Sequence, residues 1–183
     1  MFEFPEQLTY EHFEQMFDLE KSFYNEEFIT PADEAWRWYE QHPHSVTVAM
    51  DGEKLAGFVN LFPVRQELYN AIVAGEFNDA DLVADDIVSL EDLADPAQPC
   101  QMFLSCIVID ESHRSQGLTH ALLKAAAEQY LPWAERLERV AVDTVTADGS
   151  RFAERLGFRF LRHSSHDSRI YEQDFGSFIQ NIR

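Results

Sequence analysis

Cysteine is scarce in this chain, and its scarcity excludes a disulfide framework. Of the 183 residues, two are cysteines, Cys100 and Cys106. They lie close together on one segment that is predicted to be extended, where the geometry of a mutual disulfide is unfavourable. We therefore expect free thiols and a reducing compartment, the cytoplasm. Cys106 is interpreted as a small buried apolar residue.

Positive charge is also scarce. Lys and Arg number 14 against 33 Asp and Glu, which gives a formal net charge of -19. A field of this sign repels phosphate backbones and attracts cations. We therefore expect no nucleic-acid partner. The acidity serves solubility, the simpler interpretation, or it steers a cationic ligand to the protein.

Long apolar runs are missing as well. No run reaches the roughly 20 residues that span a membrane, and the first six residues lack the basic and apolar regions of a secretory signal. We expect neither a membrane partner nor export. What the chain does have is a globular composition, with 45% hydrophobic residues and 15 phenylalanines. Its length suits a single domain over residues 1–183.

Two helices and a hairpin are predicted at the start of the chain. Helical spacing of apolar residues follows Thr9, a typical N-cap with an acid nearby. A second helix has Thr30 as its predicted N-cap and Pro31 as its first residue. Alternating residues on both sides of an Asp-Gly turn predict an antiparallel hairpin with strands at 45–50 and 55–62.

The second half of the chain predicts a parallel crossover followed by a small terminal hairpin. A strand at 102–109, a helix from Leu118 and a strand at 139–146 form the crossover. After it come a short helix that Gly157 ends and two further strands, at 151–156, 158–161 and 168–171. The fold class is therefore α+β.

An acidic segment at residues 65–99 separates two of the predicted strands. Arg65 is its only basic residue. Helices are predicted at 67–74 and 79–93, with Gly75 between them, and Asp95-Pro96 with Pro99 close the segment. We interpret this segment as a helical insertion.

The most informative motif is a strand that runs through a short polar turn into a helix, at residues 104–123. The first N–H groups of a helix have no intrahelical partner and lie at the positive end of its dipole. A turn with a glycine at Gly117 therefore predicts a seat for an anion, and a phosphate-bearing cofactor suits it. One glycine is too few for a dinucleotide-binding fold. The chain also lacks the Gly-Lys-Ser/Thr sequence that a Walker-type site requires.

Two elements of the chain resemble the GNAT-family N-acetyltransferases. The family opens a helix with Arg/Gln-x-x-Gly-x-Gly/Ala, and residues 114–119 read Arg-Ser-Gln-Gly-Leu-Thr. Downstream, the family has a short helix that ends in Gly-Phe, and residues 152–158 match it. The resemblance implies a mixed, mostly antiparallel sheet flanked by helices, with acetyl-CoA as co-substrate. It allows a homodimer.

The resemblance also implies which residues hold coenzyme A. Main-chain groups of the strand would pair with the pantetheine arm, and the loop and helix N-terminus would hold the pyrophosphate. The residues implied to contact the cofactor are Ile107, Val108, Ile109, Arg114, Ser115, Gln116, Gly117, Leu118, Thr119 and Ser150. Thr119 departs from the family pattern, which has Gly or Ala there.

The catalytic acid and base are less clear. The family often places a tyrosine at the position of Ala153, so its usual acid is missing. The remaining candidates are Tyr130, Tyr171, Ser150, the solvent or departure of the thiolate without help. An amine must lose a proton before it attacks. For that base we favour Asp143 over the loop residues Glu111 and His113.

Four further sets of residues are candidates for a functional role. His113 and His120 flank the loop and either bind phosphate or are solvated surface groups. His163 and His166 are interpreted as a turn, and no metal site is predicted. Trp36, Trp38 and Tyr39 either wall an acceptor pocket or pack in the core. The insertion, including Asp85 and Asp86, is expected to cover the acceptor cleft and to favour a cationic amine.

The function hypothesis is direct transfer of an acetyl group to a primary amine of a small molecule or a peptide. The alternative is a domain that binds coenzyme A without catalysis, as a sensor or an interaction subunit. A third reading is an acidic binding module without a cofactor.

Overall fold

A six-stranded sheet forms the centre of the fold, in the order β1-β2-β3-β4-β6-β5. The computed structural model describes residues 2–24 and 29–183. Within these residues β3 and β4 run parallel, and the other neighbouring strands are antiparallel. The strands are β1 (Val46–Asp51), β2 (Lys54–Arg65), β3 (Cys100–Ile109), β4 (Arg139–Thr144), β5 (Arg159–His163) and β6 (Arg169–Asp174). The predicted α+β class and the parallel crossover are confirmed.

Helices cover both faces of the sheet. They are α1 (Tyr10–Glu20), α2 (Ala32–Gln41), α3 (Gln66–Ala74), α4 (Leu90–Ala94), α5 (Leu118–Glu128), α6 (Ala147–Arg155) and α7 (Phe175–Asn181). We call the face that packs α1, α2 and α3 the front face, and the face that packs α5 and α7 the back face. No helix in the described part is long and apolar enough to cross a membrane.

Alternation along the strands assigns each side chain to a face. On β2, Phe58 and Phe62 pack in the front clusters, whereas Val59 and Leu61 pack in the back cluster. Asn60 therefore lies on the front face. On β4 the front residue Ala141 is followed by Val142 on the back, which places Asp143 on the front face.

Strand β2 is longer than predicted, since it continues through Pro63 to Arg65. The pairing with β1 stops at Asn60, so Pro63 lies where that side of β2 has no neighbouring strand. Proline lacks an N–H, and this is where a strand tolerates it. The Pro63 carbonyl accepts the Val88 N–H at 2.9 Å instead.

The second helix predicted in the segment between β2 and β3 is wrong. Residues 79–93 form two 3₁₀ turns and the start of α4, not one helix. Local side-chain bonds cause the breaks: Asn78 accepts the N–H of Ala80, and the Asp86 carboxylate accepts the N–H of Val83. Such bonds compete with a continuous helix. Helix α3 ends before Gly75, as predicted, and Gly75 has a left-handed backbone with φ of 74°.

Two helix boundaries also differ from the prediction, and one helix was not predicted. Pro31, not Thr30, is the N-cap of α2. Thr146 caps α6 and accepts the Gly149 N–H at 3.0 Å, so this helix begins earlier than predicted and contains Ser150. Helix α7 was missed, and Asp174 caps it by accepting the Ser177 N–H at 2.8 Å.

Candidate active site

The loop from β3 into α5 presents an exposed row of backbone groups. Ser115 and Gly117 both have left-handed backbones, with φ of 66° and 76°. Residues 114–117 are exposed, whereas Leu118 is buried in the back cluster and anchors the helix start. The first intrahelical bond runs from the Ala121 N–H to the Gly117 carbonyl. The earlier N–H groups of α5 therefore point outward, as an anion site requires.

His113 ties this loop to the hairpin between β1 and β2. It is buried, and its Nε2 lies 3.1 Å from the Asp51 carboxylate. Its Nδ1 lies 3.3 Å from Asp110 and 3.1 Å from the Ser112 hydroxyl. These contacts give His113 a positioning role in the loop. His120, in contrast, is exposed in the first turn of α5.

Two loop side chains turn toward neighbouring protein. The Arg114 guanidinium lies 4.7 Å from the ring centre of Phe23, just after α1, and 3.7 Å from the Glu111 carboxylate. The Gln116 amide donates to the Ser112 carbonyl at 3.0 Å. The loop therefore offers main-chain N–H groups outward while these side chains brace it.

Strands β3 and β4 separate in the middle of the sheet. Their pairing ends at Leu104 and Val142. Beyond that point β3 continues along β2 to Ile109, and β4 continues along β6 to Thr144. Between them is an opening that leads to the N-terminus of α5, and the predicted residues 107–109 line it. Strand edges of this kind bind an extended ligand through main-chain hydrogen bonds.

A bulge at Ser105 shapes the opening. Leu104 pairs with Leu61 and Cys106 pairs with Asn60, which leaves Ser105 as the extra residue. Because of it, Ser105 and Cys106 both lie on the front face, between Leu104 and Ile107 on the back. A bulge redirects side chains in this way.

Three carboxylates lie on the front face at this opening, and we call Glu20, Asp79 and Asp143 the acid cluster. The Cys106 thiol donates to Glu20 at 3.5 Å, and the Ser105 hydroxyl donates to Asp79 at 3.4 Å. Asp143 follows on β4, with Ser168 and His166 nearby. Glu20 comes from the end of α1, and Asp79 comes from the segment between β2 and β3.

Burial raises the pKa of all three acids. The pKa of Glu20 rises from 4.5 to about 7 through loss of solvation, against a lowering by its bond from Cys106. The pKa of Asp79 rises from 3.8 to about 8, first through burial and then through repulsion by Asp143. Burial also raises the pKa of Asp143. Perturbed acids at an opening are typical of functional sites.

The model of the acetyltransferase (GNAT) family matches residues 13–158, which include the loop, the opening and the Gly-Phe element. The chain belongs to this family. This acetyltransferase is therefore an acyltransferase, and the resemblance drawn from its loop is confirmed.

Solved structures share the fold of this GNAT protein at low identity. NAA60 of Arabidopsis thaliana, in complex with acetyl-CoA, has a TM-score of 0.64 and 14% identity over 96% of this chain and 99% of that one. The ribosomal-protein-S18-alanine N-acetyltransferase of Escherichia coli has a TM-score of 0.58 and 14% identity over 96% of this chain and 94% of that one. A chain of the NatC complex bound to Gag peptide and CoA has a TM-score of 0.62 and 9% identity over 93% of this chain and 95% of that one. No curated protein sequence matches the chain significantly.

The candidate proton donors of this GNAT protein have hydrogen-bond partners within the protein. Tyr130 is fully buried, its hydroxyl lies 2.9 Å from the Leu61 carbonyl, and burial raises its pKa well above the usual value. The Tyr171 hydroxyl donates to Glu154 at 3.0 Å. Ser150 is buried, and its hydroxyl is bonded to Thr144 at 2.8 Å. These three hydroxyls therefore have structural partners.

Other predicted residues belong to the framework of this GNAT protein. Trp38 packs on Phe62, and Trp36 and Tyr39 pack on Phe13, so the core interpretation holds for these aromatic residues. His166 lies in the turn between β5 and β6, as predicted, whereas the prediction is wrong for His163, which is the last residue of β5.

The segment between β2 and β3 reaches the opening through a different acid than expected. Asp85 is exposed, and Asp86 accepts the N–H of Val83. Asp79 is the residue that contacts Ser105.

Sequence reasoning missed Glu20 and Asp79. Glu20 occupies a position of the apolar stripe of α1, and a carboxylate at such a position is the signal that identifies it. Asp79 is one of many acids in its segment, and nothing in the sequence separates it from Asp81 or Asp85. Cys106 is half-buried with its thiol on Glu20, so it is not the simple apolar residue predicted.

The acid cluster predicts how stability depends on pH. Both pKa values are raised in the native protein, Glu20 to about 7 and Asp79 to about 8. The native state therefore keeps protons that the unfolded chain releases. Their contribution to stability is fully present below about pH 4 and is lost as the pH rises to about 8. We expect the Tm of the double variant Glu20→Gln, Asp79→Asn to fall less steeply over this range than that of the wild type. Parallel Tm curves in circular dichroism would contradict the assignment.

Proposed function

We propose that this GNAT protein transfers an acetyl group from acetyl-CoA directly to a primary amine of a small molecule or a peptide. One observation carries the proposal. The opening between β3 and β4 joins the exposed N-terminus of α5 to a cluster of three carboxylates on the front face. The first part suits the phosphates and pantetheine of the co-substrate, and the second suits a cationic amine.

The fit of coenzyme A rests on space and on backbone polarity. A Cβ built on Gly117 would meet no atom within 4 Å, so the front of α5 is open. The N–H groups of Leu118 and Thr119 belong to the first turn of this helix and need an acceptor from outside it. Bound there, acetyl-CoA supplies an activated acyl group as a thioester.

We propose Glu20 as the general base, in competition with Asp143. A carboxylate with a pKa of about 7 is ionised in part at neutral pH and is basic enough to take a proton from an ammonium group. Its one hydrogen bond in the described part is the weak one from the Cys106 thiol, at 3.5 Å. Asp143, favoured from the sequence, lies on the opposite strand with Ser168 and His166 as neighbours.

Removal of a proton from the acceptor amine has a better candidate in this protein than protonation of the departing thiolate. Glu20 accepts the proton of the acceptor ammonium, and the free amine attacks the thioester carbonyl. The C–N bond forms as the C–S bond breaks, the thiolate leaves, and the nitrogen releases its remaining extra proton to solvent. Ala153 lies where the family often has a tyrosine, and it is buried without a hydroxyl. Solvent at the exposed loop then protonates the departing sulfur.

Calorimetry and a thiol-release assay test the proposal in sequence. We expect heat on titration of acetyl-CoA, and release of a free thiol when a primary amine from a panel of polyamines, aminoglycosides, amino acids and peptides is added. An aliphatic alcohol of the same length is the control acceptor and should give no release above hydrolysis. Lack of heat with acetyl-CoA would overturn the proposal.

One observation favours a second candidate function. Ala153 has no hydroxyl, and the hydroxyls of Tyr130 and Tyr171 are bonded to Leu61 and Glu154, so none of these three positions supplies a free tyrosine donor. A domain that binds coenzyme A as a sensor has the same features. Binding of acetyl-CoA with no thiol release across the amine panel would favour this alternative.

A further inference from the structure

Two members of the acid cluster contact consecutive residues of β3. Asp79 accepts from the Ser105 hydroxyl at 3.4 Å, and Glu20 accepts from the Cys106 thiol at 3.5 Å. Consecutive Cα atoms are about 3.8 Å apart, and the bulge directs both side chains to the front face. Glu20 and Asp79 therefore approach the same point of the opening from two sides, within reach of one small molecule.

Unpartnered acceptor atoms lie beside these acids. Asn60 is 5% exposed, and its Oδ1 has no hydrogen-bond partner among residues 2–24 and 29–183. It pairs across the strands with Cys106, and such side chains are about 5 Å apart. On the other side, the Oδ1 of Asp143 is also buried without a partner in that part of the chain. One half of the cluster thus has the Glu20 carboxylate and the Asn60 oxygen, and the other half has the Asp79 carboxylate and the Asp143 oxygen.

The hydrogen-bond donors of the acid cluster are weak for carboxylate acceptors. Its donors are the Ser105 hydroxyl, the Cys106 thiol and, at Asp143, the Ser168 hydroxyl and the Thr144 N–H. Basic residues lie at its two ends, where Arg114 is beside Tyr24 and His166 is beside Asp143. An alkylammonium is the complementary group, because it carries three donors, no acceptor and a positive charge.

A single amino group does not satisfy both halves. The amine that reacts must give up a proton, so it cannot remain the cation that neutralises the second carboxylate. Without a cation beside it, buried Asp79 keeps its proton, whereas a second ammonium group that binds there favours the ionised carboxylate. We propose that the acceptor is a small aliphatic diamine, with the reacting amine at Glu20 and Asn60 and a second, protonated amino group at Asp79 and Asp143. This inference rests on the proposed acetyl transfer.

Matched pairs of amines test the inference. The probes are 1,3-diaminopropane, 1,4-diaminobutane and 1,5-diaminopentane against the monoamines of the same carbon number. We expect kcat/KM for the best diamine to exceed that for its monoamine at least about tenfold, the effect of one hydrogen-bonded charge. Asp79→Asn should bring the two values to within about threefold by lowering the diamine value much more than the monoamine value. Asp143→Asn should act in the same direction.

Asp81 provides the control. It lies in the same 3₁₀ turn as Asp79 but is exposed, so Asp81→Asn makes the same change of charge away from the opening. We expect this variant to keep the wild-type preference for the diamine. Equal kcat/KM for diamine and monoamine in the wild type would overturn the inference and leave the proposed acetyl transfer intact.

A binding measurement separates failure of catalysis from failure of recognition. If no amine is acetylated, 1,4-diaminobutane is titrated into the protein saturated with coenzyme A. Binding of the diamine with an affinity that Asp79→Asn lowers about tenfold supports the diamine site, although acetyl transfer then fails. Absence of heat, with the coenzyme bound, overturns the diamine site as well.

Discussion

The variant Gly117→Glu should lose about 10²–10³-fold in affinity for acetyl-CoA and keep its fold. A carboxylate at this position lies where the pyrophosphate is expected. Two like charges about 4 Å apart repel by roughly 4 kcal/mol at the effective dielectric of a protein surface, which corresponds to that loss. The fold is retained because a side chain at Gly117 meets no atom within 4 Å. Calorimetry and the rise in Tm on addition of acetyl-CoA measure the loss.

Gly52→Glu is the matched control for that variant. Gly52 also has a left-handed backbone, with φ of 62°, and open space around it, but it lies in the turn between β1 and β2. Both variants therefore carry the same added charge and a similar backbone strain. Gly52→Glu should bind acetyl-CoA with the wild-type affinity. Equal affinities of the two variants would show that the phosphates bind elsewhere.

The second large effect is expected from Glu20→Gln. Loss of a general base lowers kcat about 10²–10⁴-fold. In the wild type, kcat should rise with pH through the pKa of Glu20, about 7, because the ionised carboxylate is the active form. The Gln variant should lack this limb. The groups that face Glu20 are the Cys106 thiol, Tyr24 and, through Cys106, Asp79. The amide has the shape of the acid, so native circular dichroism is expected.

Two variants decide whether Glu20 holds this role. Glu14→Gln changes an exposed acid of the same helix and should leave kcat unchanged. Asp143→Asn tests the base favoured from the sequence, with a monoamine as acceptor so that binding of a second ammonium does not enter. If Asp143→Asn removes the pH limb and Glu20→Gln keeps it, Asp143 is the base and our assignment is wrong.

Local patterns predicted most of the fold. The Asp-Gly turn, the buried stripe from Leu118 and the end of a helix before Gly75 each depend on a few neighbouring residues, and the structure agrees with them. The helix predicted over 79–93 failed because caps from Asn78, Asp86 and Ser89 divide that segment. Helical spacing does not reveal how strongly such side chains compete with the main chain.

The candidate site was predictable on its cofactor side and much less on its acceptor side. The loop around Gly117 is continuous in sequence, so its chemistry can be recognised there. The acid cluster joins positions 20, 79 and 143, which meet because of the sheet order and the bulge at Ser105. Pairings of this range are a property of the folded chain. Burial, which sets the raised pKa values, also appears only after folding.

The origin of Asp79 has a consequence for how this protein could change its preference among acceptors. The segment that carries Asp79 joins two adjacent antiparallel strands, β2 and β3, and the loop that carries Gly117 follows β3 on a different connection. Exchange of the segment between Arg65 and Cys100 would replace one wall of the acceptor cleft and leave the helix N-terminus of α5 untouched. On the proposed function, choice of acceptor and capture of the acyl donor therefore depend on separate segments that can be recombined in design.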